Sequence, residues 1–129
     1  MGDDMAFWPR RLTKLARIAR RPAYVKAAMH GVFAAIEHEA ALSALPDVRT
    51  VIDIGAHRGQ FSLVARRRFP NATLFAFEPQ ARARDKYRAA VGMAALPFAI
   101  GRTNGTSTLN VPAYSGAASL LPLAQAQYA

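Results

Sequence analysis

Thr50-Val51-Ile52-Asp53-Ile54-Gly55-Ala56-His57-Arg58-Gly59-Gln60-Phe61 reads as a short buried strand, a tight glycine turn and the start of a helix. Val51, Ile52 and Ile54 form a nearly continuous apolar run, the pattern of a central parallel strand covered on both faces. Asp53 interrupts that run near its end. Gly55 and Gly59 allow backbone angles and close approaches that a side chain would block. Phe61, Val64, Ala65 and Phe69 then recur at helical spacing.

Charge limits what such a loop can bind. A glycine-rich strand-to-helix turn usually offers backbone N–H groups to a phosphate. The dinucleotide form, G-x-G-x-x-G, is absent, and the pattern here is D-x-G-x-x-x-G. A carboxylate at Asp53 would repel a pyrophosphate and suit a ligand with an ammonium group and no phosphate. S-adenosyl-L-methionine is such a ligand, with an amino-acid end, a sulfonium and an adenosine. The competing reading is a structural glycine turn in which Asp53 caps the helix.

Leu74-Phe75-Ala76-Phe77-Glu78-Pro79 is a second apolar run ending in an acid. Glu78 lies 23 residues after Gly55, about the distance at which an open α/β sheet brings its second strand end beside the first. An acid there can accept hydrogen bonds from both ribose hydroxyls of a nucleoside. Alone, Glu78 reads equally well as a solvated strand-end acid. Asp53 and the two glycines at this spacing favour the binding role.

Together, VIDIGAHRGQF and LFAFEP resemble the FkbM-type methyltransferases, a branch of the class I S-adenosylmethionine-dependent enzymes. The resemblance runs from about Leu45 to Leu121. It takes in Ala99-Ile100-Gly101, the Asn104-Gly105-Thr106 turn with Leu109-Asn110-Val111, and more weakly Ser119-Leu120-Leu121. Position 57 is His where the family more often has Asn; both can hydrogen-bond across a loop. The resemblance implies an incomplete Rossmann-like α/β fold: strands 1–3 of a parallel sheet, in the order 3-2-1, plus a hairpin, preceded by N-terminal helices. It implies methyl transfer to a hydroxyl oxygen of a sugar, polyketide, lipid or similar acceptor. Asp53 would hold the cofactor's amino-acid end, and Glu78 its ribose. Gly55 and Gly59 would let the backbone approach, His57 would belong to the same loop, and Phe77 and Pro79 would shape the adenosine pocket. No catalytic base is identified. The family's remaining strands, its further acidic motif and much of its substrate pocket have no counterpart here, so a truncated form, or a non-catalytic cofactor-binding remnant, is expected.

The chain has 129 residues, half of them apolar, which suits one folded domain. It has no cysteine, so no disulfide, thiolate metal site or cysteine nucleophile. His30, His38 and His57 lack metal-ligand spacing, and no metal is expected. No apolar run is long enough to span a membrane, and a cytoplasmic location is expected. The net charge of +9 attracts anionic surfaces. A basic module for nucleic acid or anionic membrane is therefore the alternative function. Nucleic acid is disfavoured because the basic faces lack interleaved aromatics for base stacking.

Three segments are expected: an N-terminal helical extension over 1–45, the methyltransferase-like region over 46–121, and a tail over 122–129. In residues 1–21, Arg10, Lys14, Arg17 and Arg21 share one helical face, and Met5, Trp8, Leu12, Leu15 and Ala19 the other. This segment can lie on an anionic membrane, but the favoured reading packs its apolar face on the domain and solvates its basic face. Ala23 to about Ser43 reads as one helix with Val25, Met29, Val32, Ile36 and Ala40 in a stripe. Met29 and Phe33 read as core contacts, and His30 and His38 as solvent-facing or partner-facing. A helix over about Gln80–Val91, with Ala83, Tyr87 and Ala90 inward, stops at Gly92. Pro97–Gly101 reads as a third strand turning at Asn104-Gly105 into Ser107–Val111. Residues 112–129 read as a loop with at most one weak helical turn. The apolar first strand would keep an unpaired edge, a template for self-association.

Overall fold

Two strands, β1 (Thr50–Ile54) and β2 (Thr73–Phe77), pair in parallel, with Thr50 opposite Thr73 and Ile54 opposite Phe77. The computed structural model describes residues 7–113 and 115–121. Helices α1 (Phe7–Ala19), α2 (Pro22–Met29) and α3 (Glu39–Ser43) precede the strands. Helix α4 (Gln60–Arg68) connects them, and α5 (Ala81–Val91) follows. Short 3-10 helices occupy Ile36–His38 and Ser115–Ala117. The protein is thus a small α/β chain with a two-stranded parallel sheet. It divides into two units, Met1–Ala99 and Ile100–Ala129. Met5 and residues 122–129 lie outside the described residues, as do the side chains of Trp8 and Arg10.

The parallel register sets which side chains share a face. Val51 and Asp53 lie beside Leu74 and Ala76 on the side that α4 covers. Val64, Ala65 and Phe69 of the α4 region are buried there, as their spacing predicts. Ile52 and Ile54 point the other way, with Phe75, and both isoleucines are 60% exposed. The expectation that β1 is covered on both faces is therefore wrong. α4 lies against the strands, α3 packs on α4 and α2 on α5, and within the first unit no described element covers the opposite face.

The helix expected over Ala23–Ser43 is broken. Gly31 has φ +72, and the Val32 N–H donates to the Ala27 carbonyl while the Gly31 N–H donates to Ala28. This is a Schellman stop, which a glycine just past the helix end makes inexpensive. Val32, Ala34 and Ile36 are then buried at period two, and the Ala35 N–H donates to the Gln60 carbonyl. Inside α2 the buried residues are Tyr24 and Ala27. Val25, Met29, Phe33 and Ala40 are exposed, so neither Met29 nor Phe33 is a core contact. His30 and His38 are exposed, as expected.

α1 sits with its faces opposite to expectation. Ile18 is buried, whereas Leu12 and Leu15 are exposed. Lys14 bonds Glu37 at 3.1 Å and Arg17 bonds Glu39 at 2.6 Å, and Arg21 also bonds Glu39. The two acids follow α2 in the chain, and they draw the basic face inward. Glu39 also accepts from Tyr24 Oη at 3.1 Å. Burial pushes the Glu39 carboxyl up, but the bonds from Arg21 and Tyr24 and the Arg21 charge outweigh it and hold the carboxyl below its usual range.

The third strand shrinks to one bridge. Leu96 pairs in parallel with Phe77; its N–H donates to Ala76 and its carbonyl accepts from Glu78. The Leu96 bridge lies beside β2, as the order 3-2-1 requires. Pro97 follows and has no N–H to give. The Phe98 N–H then folds back onto the Leu96 carbonyl at 2.9 Å instead of extending the ladder. The expected hairpin through Asn104-Gly105 is absent among the described residues. In the second unit Asn110 bridges Ser119 antiparallel instead.

Candidate functional site

The loop after β1 and the end of β2 meet because the strands are parallel and in register. The Gly55 and Ala56 N–H groups donate to the Phe77 carbonyl at 2.9 and 3.0 Å. Glu78, 3% exposed, fixes the rest of the loop. One of its carboxylate oxygens accepts from the His57 N–H and the other from the Gln80 N–H, both at 2.8 Å. The chain between the two glycines is unusual. Gly55, His57 and Gly59 all have positive φ, at +74°, +48° and +94°. His57 is a non-glycine residue in the left-handed region, which the bond from its N–H to Glu78 helps to hold.

Asp53 faces the helix side, beneath this loop, and is 8% exposed. It accepts from Ser62 Oγ at 2.5 Å, and Tyr87 Oη donates to Ser62 Oγ at 3.0 Å. Asp53 does not cap α4: Gly59 occupies the N-cap position. Burial pushes the Asp53 carboxyl up; the Ser62 hydroxyl opposes that shift and the Glu78 charge adds to it. Burial raises the Tyr87 phenol as well, and the Asp53 charge adds to that rise against the Ser62 bond. The His57 imidazole is pushed down by burial and by the Arg58 charge, against an opposing pull from Glu78. Burial and the Arg58 charge thus favour the uncharged form of the ring.

The structure brings Asp53, Gly55, His57, Gly59, Phe77, Glu78 and Pro79 together around the carboxyl ends of β1 and β2. In open α/β sheets this is where ligands bind. Three of these residues have structural roles that their spacing alone did not disclose. Gly59 is buried where a Cβ would come within 2.4 Å of Val91 and 3.0 Å of Tyr87. The Pro79 carbonyl accepts from Arg84 at 2.6 Å, and so does the Glu78 carbonyl at 2.9 Å.

Ser62, Gln80 and Arg84 escaped the sequence reading. Ser62 alone carried a usable signal, as a polar residue directly before the inward-facing Leu63, Val64 and Ala65. Tyr87 was expected on the inner stripe of α5, but its bond to Ser62 was not foreseen. Among the described residues no group of three or more His, Asp or Glu could hold a metal ion, and no helix is long and apolar enough to cross a membrane. Comparison with protein-family models, curated proteins and solved structures finds no match for the chain.

Proposed function

We propose that the chain binds S-adenosyl-L-methionine as the cofactor-binding part of a Rossmann-like methyltransferase of the FkbM type, whose acceptor is a hydroxyl oxygen. The observation that carries this reading is the pairing of two buried acids, Asp53 and Glu78, with one positive-φ glycine loop at adjacent parallel strand ends. Gly55 is exposed, and a Cβ added there would meet nothing within 4 Å, so a ligand has room to approach the backbone. Each Glu78 oxygen accepts one main-chain bond and has a further lone pair for a ribose hydroxyl. Asp53, from beneath the loop, would meet the ammonium end directly or through water. Phe77 and Pro79, both half-buried, would line the adenosine side. Once bound, the cofactor supplies an electrophilic methyl group, and transfer depends on positioning the acceptor in line with it.

A cofactor-binding role without turnover is favoured by one further observation: within the first unit no described element covers the β1–β2 face bearing Ile52, Ile54 and Phe75, so that unit builds no acceptor wall there.

Calorimetric titration of the chain with S-adenosyl-L-methionine and S-adenosylhomocysteine tests the proposal. Saturable heat is expected from both. Glu78→Ala should weaken binding by about 1–3 kcal/mol, and Gly55→Ala should weaken it by narrowing the approach. The Gly55 variant is the cleaner probe, because Glu78 also holds the loop. Absence of binding by the wild-type chain, or full affinity in both variants, would sink the assignment.

A further inference from the structure

We infer that the first unit carries a second binding site, for a phosphate-bearing small molecule, in a cavity between α2, α4 and α5. The cavity measures about 630 Å³, within the range of small-ligand pockets. Five cationic side chains line it, Arg20, Arg21, Lys26, Arg66 and Arg67, and no acidic residue does. It shares no residue with the Asp53–Glu78 loop.

The charges are only partly neutralised. Arg21 is paired with Glu39, and Arg67 lies 3.8 Å from the same carboxylate. Arg66 donates to the Val91 carbonyl, which orients it without cancelling its charge. Arg20 and Lys26 have no ion pair or side-chain hydrogen bond among the described residues. Like charges gathered around one cavity repel, and an anion relieves that repulsion.

A second feature points the same way. α2 begins at the cavity, with Pro22 and Ala23 in its wall. No side chain caps this helix, and the Ala23 N–H has no acceptor among the described residues. An uncapped helix start favours an anion. Arginine forks suit phosphate oxygens, which accept two parallel N–H bonds. Tyr24, Leu63, Pro70, Ala90 and Val91 complete the wall and would contact an apolar body. A phosphorylated organic molecule matches both halves of this lining.

The test is calorimetry of the full chain with inorganic pyrophosphate at 150 mM salt, a concentration that screens weak surface attraction (Debye length about 8 Å). One saturable site is expected. The Arg20→Gln/Lys26→Gln double variant should lose roughly tenfold in affinity or more. Neither side chain has an ion pair or side-chain hydrogen bond among the described residues, so the variant should fold. The control, Arg82→Gln/Arg88→Gln, removes the same charge from the exposed face of α5, outside the cavity. NMR of the arginine Nε–H groups of the unmodified chain gives a readout free of any variant: Arg66 and Arg67 should shift with pyrophosphate while Arg82 and Arg88 stay fixed. Vesicles containing phosphatidic acid separate the sources of phosphate. Pyrophosphate-competed vesicle binding assigns the site to a lipid headgroup, and its absence assigns the site to a soluble compound. No saturable binding, equal losses in the two double variants, or shifts spread evenly over all arginines would overturn the inference.

Discussion

Replacing Gly59 with alanine should destabilise the protein much more than the same change at Gly55. Both glycines have positive φ, so an L-residue at either costs about 1–2 kcal/mol in backbone conformation. Both changes recover about 0.4–1 kcal/mol by restricting the unfolded chain. The sites differ in what surrounds them. At Gly55 a new Cβ meets nothing within 4 Å; at Gly59 it would come within 2.4 Å of Val91 Cγ2 and 3.0 Å of Tyr87 Cδ2. Neither neighbour yields easily. Val91 is β-branched and buried, and the buried Tyr87 ring is held by its bond to Ser62. Overpacking of this kind adds about 1–3 kcal/mol. The net expectation is about 3 kcal/mol for Gly59→Ala and about 1 kcal/mol for Gly55→Ala.

Urea melts measure the difference directly. With a slope of about 1–3 kcal/mol/M, a gap of about 2 kcal/mol separates the two midpoints by roughly 1 M. Val91→Ala supplies the internal check. Added to Gly59→Ala, it should cost less than the two single changes summed, because it removes the clash. Equal midpoints for the two glycine variants, or strict additivity with Val91→Ala, would refute the packing argument.

Two further perturbations follow. Glu39→Gln should cost about 1–3 kcal/mol at pH 7, since it leaves partly buried Arg21 without its partner. The Glu39 carboxyl is held below its usual 4.5, so its contribution is fully present above that value and is lost as pH falls through the lower, folded-state value. The gap between wild type and variant in acid melts should therefore close below about pH 4.5; a gap independent of pH would disprove the assignment. The wild-type chain should associate through β1, and more so at high salt, because salt screens the repulsion between chains of charge +9 but leaves apolar contact intact. Ile52→Thr/Ile54→Thr should lower that association in light scattering, whereas a wild type that stays at 14.0 kDa at all salt concentrations would rule it out.

The sequence carried local signals faithfully where one period dominated. Both strands, the Gly59 turn, α4 and α5 with its Gly92 stop lie where their apolar spacing and glycines put them. It misled where two periods overlapped. Val25, Met29, Val32 and Ile36 fit a helical stripe, but Val32, Ala34 and Ile36 also alternate, and Gly31 between them decides for a stop. Non-local partners were not legible at all. Nothing in residues 1–21 says that Glu37 and Glu39 will draw Lys14, Arg17 and Arg21 inward, leaving Leu12 and Leu15 outside. Arg68 was equally opaque from spacing. Its guanidinium reaches the Ser43 carbonyl at the end of α3 and the Leu45 carbonyl just beyond, and stacks over Phe69.

The same separation between local and non-local applies to Glu78. As a strand-end acid it reads as a ligand group, yet in the fold both its oxygens accept main-chain N–H bonds from the loop beside it. A carboxylate kept solely for a ligand would be buried and unsatisfied in the free protein, at a cost that few native groups sustain. Here His57 and Gln80 satisfy it, which is why it can be 3% exposed. Those bonds also fix the loop before any ligand arrives, so binding need not order it and less affinity is lost to conformational entropy. The structural and the binding readings of Glu78 are therefore not rivals. The bonds that shape the loop leave one lone pair on each oxygen, and the proposed ribose contact would use those.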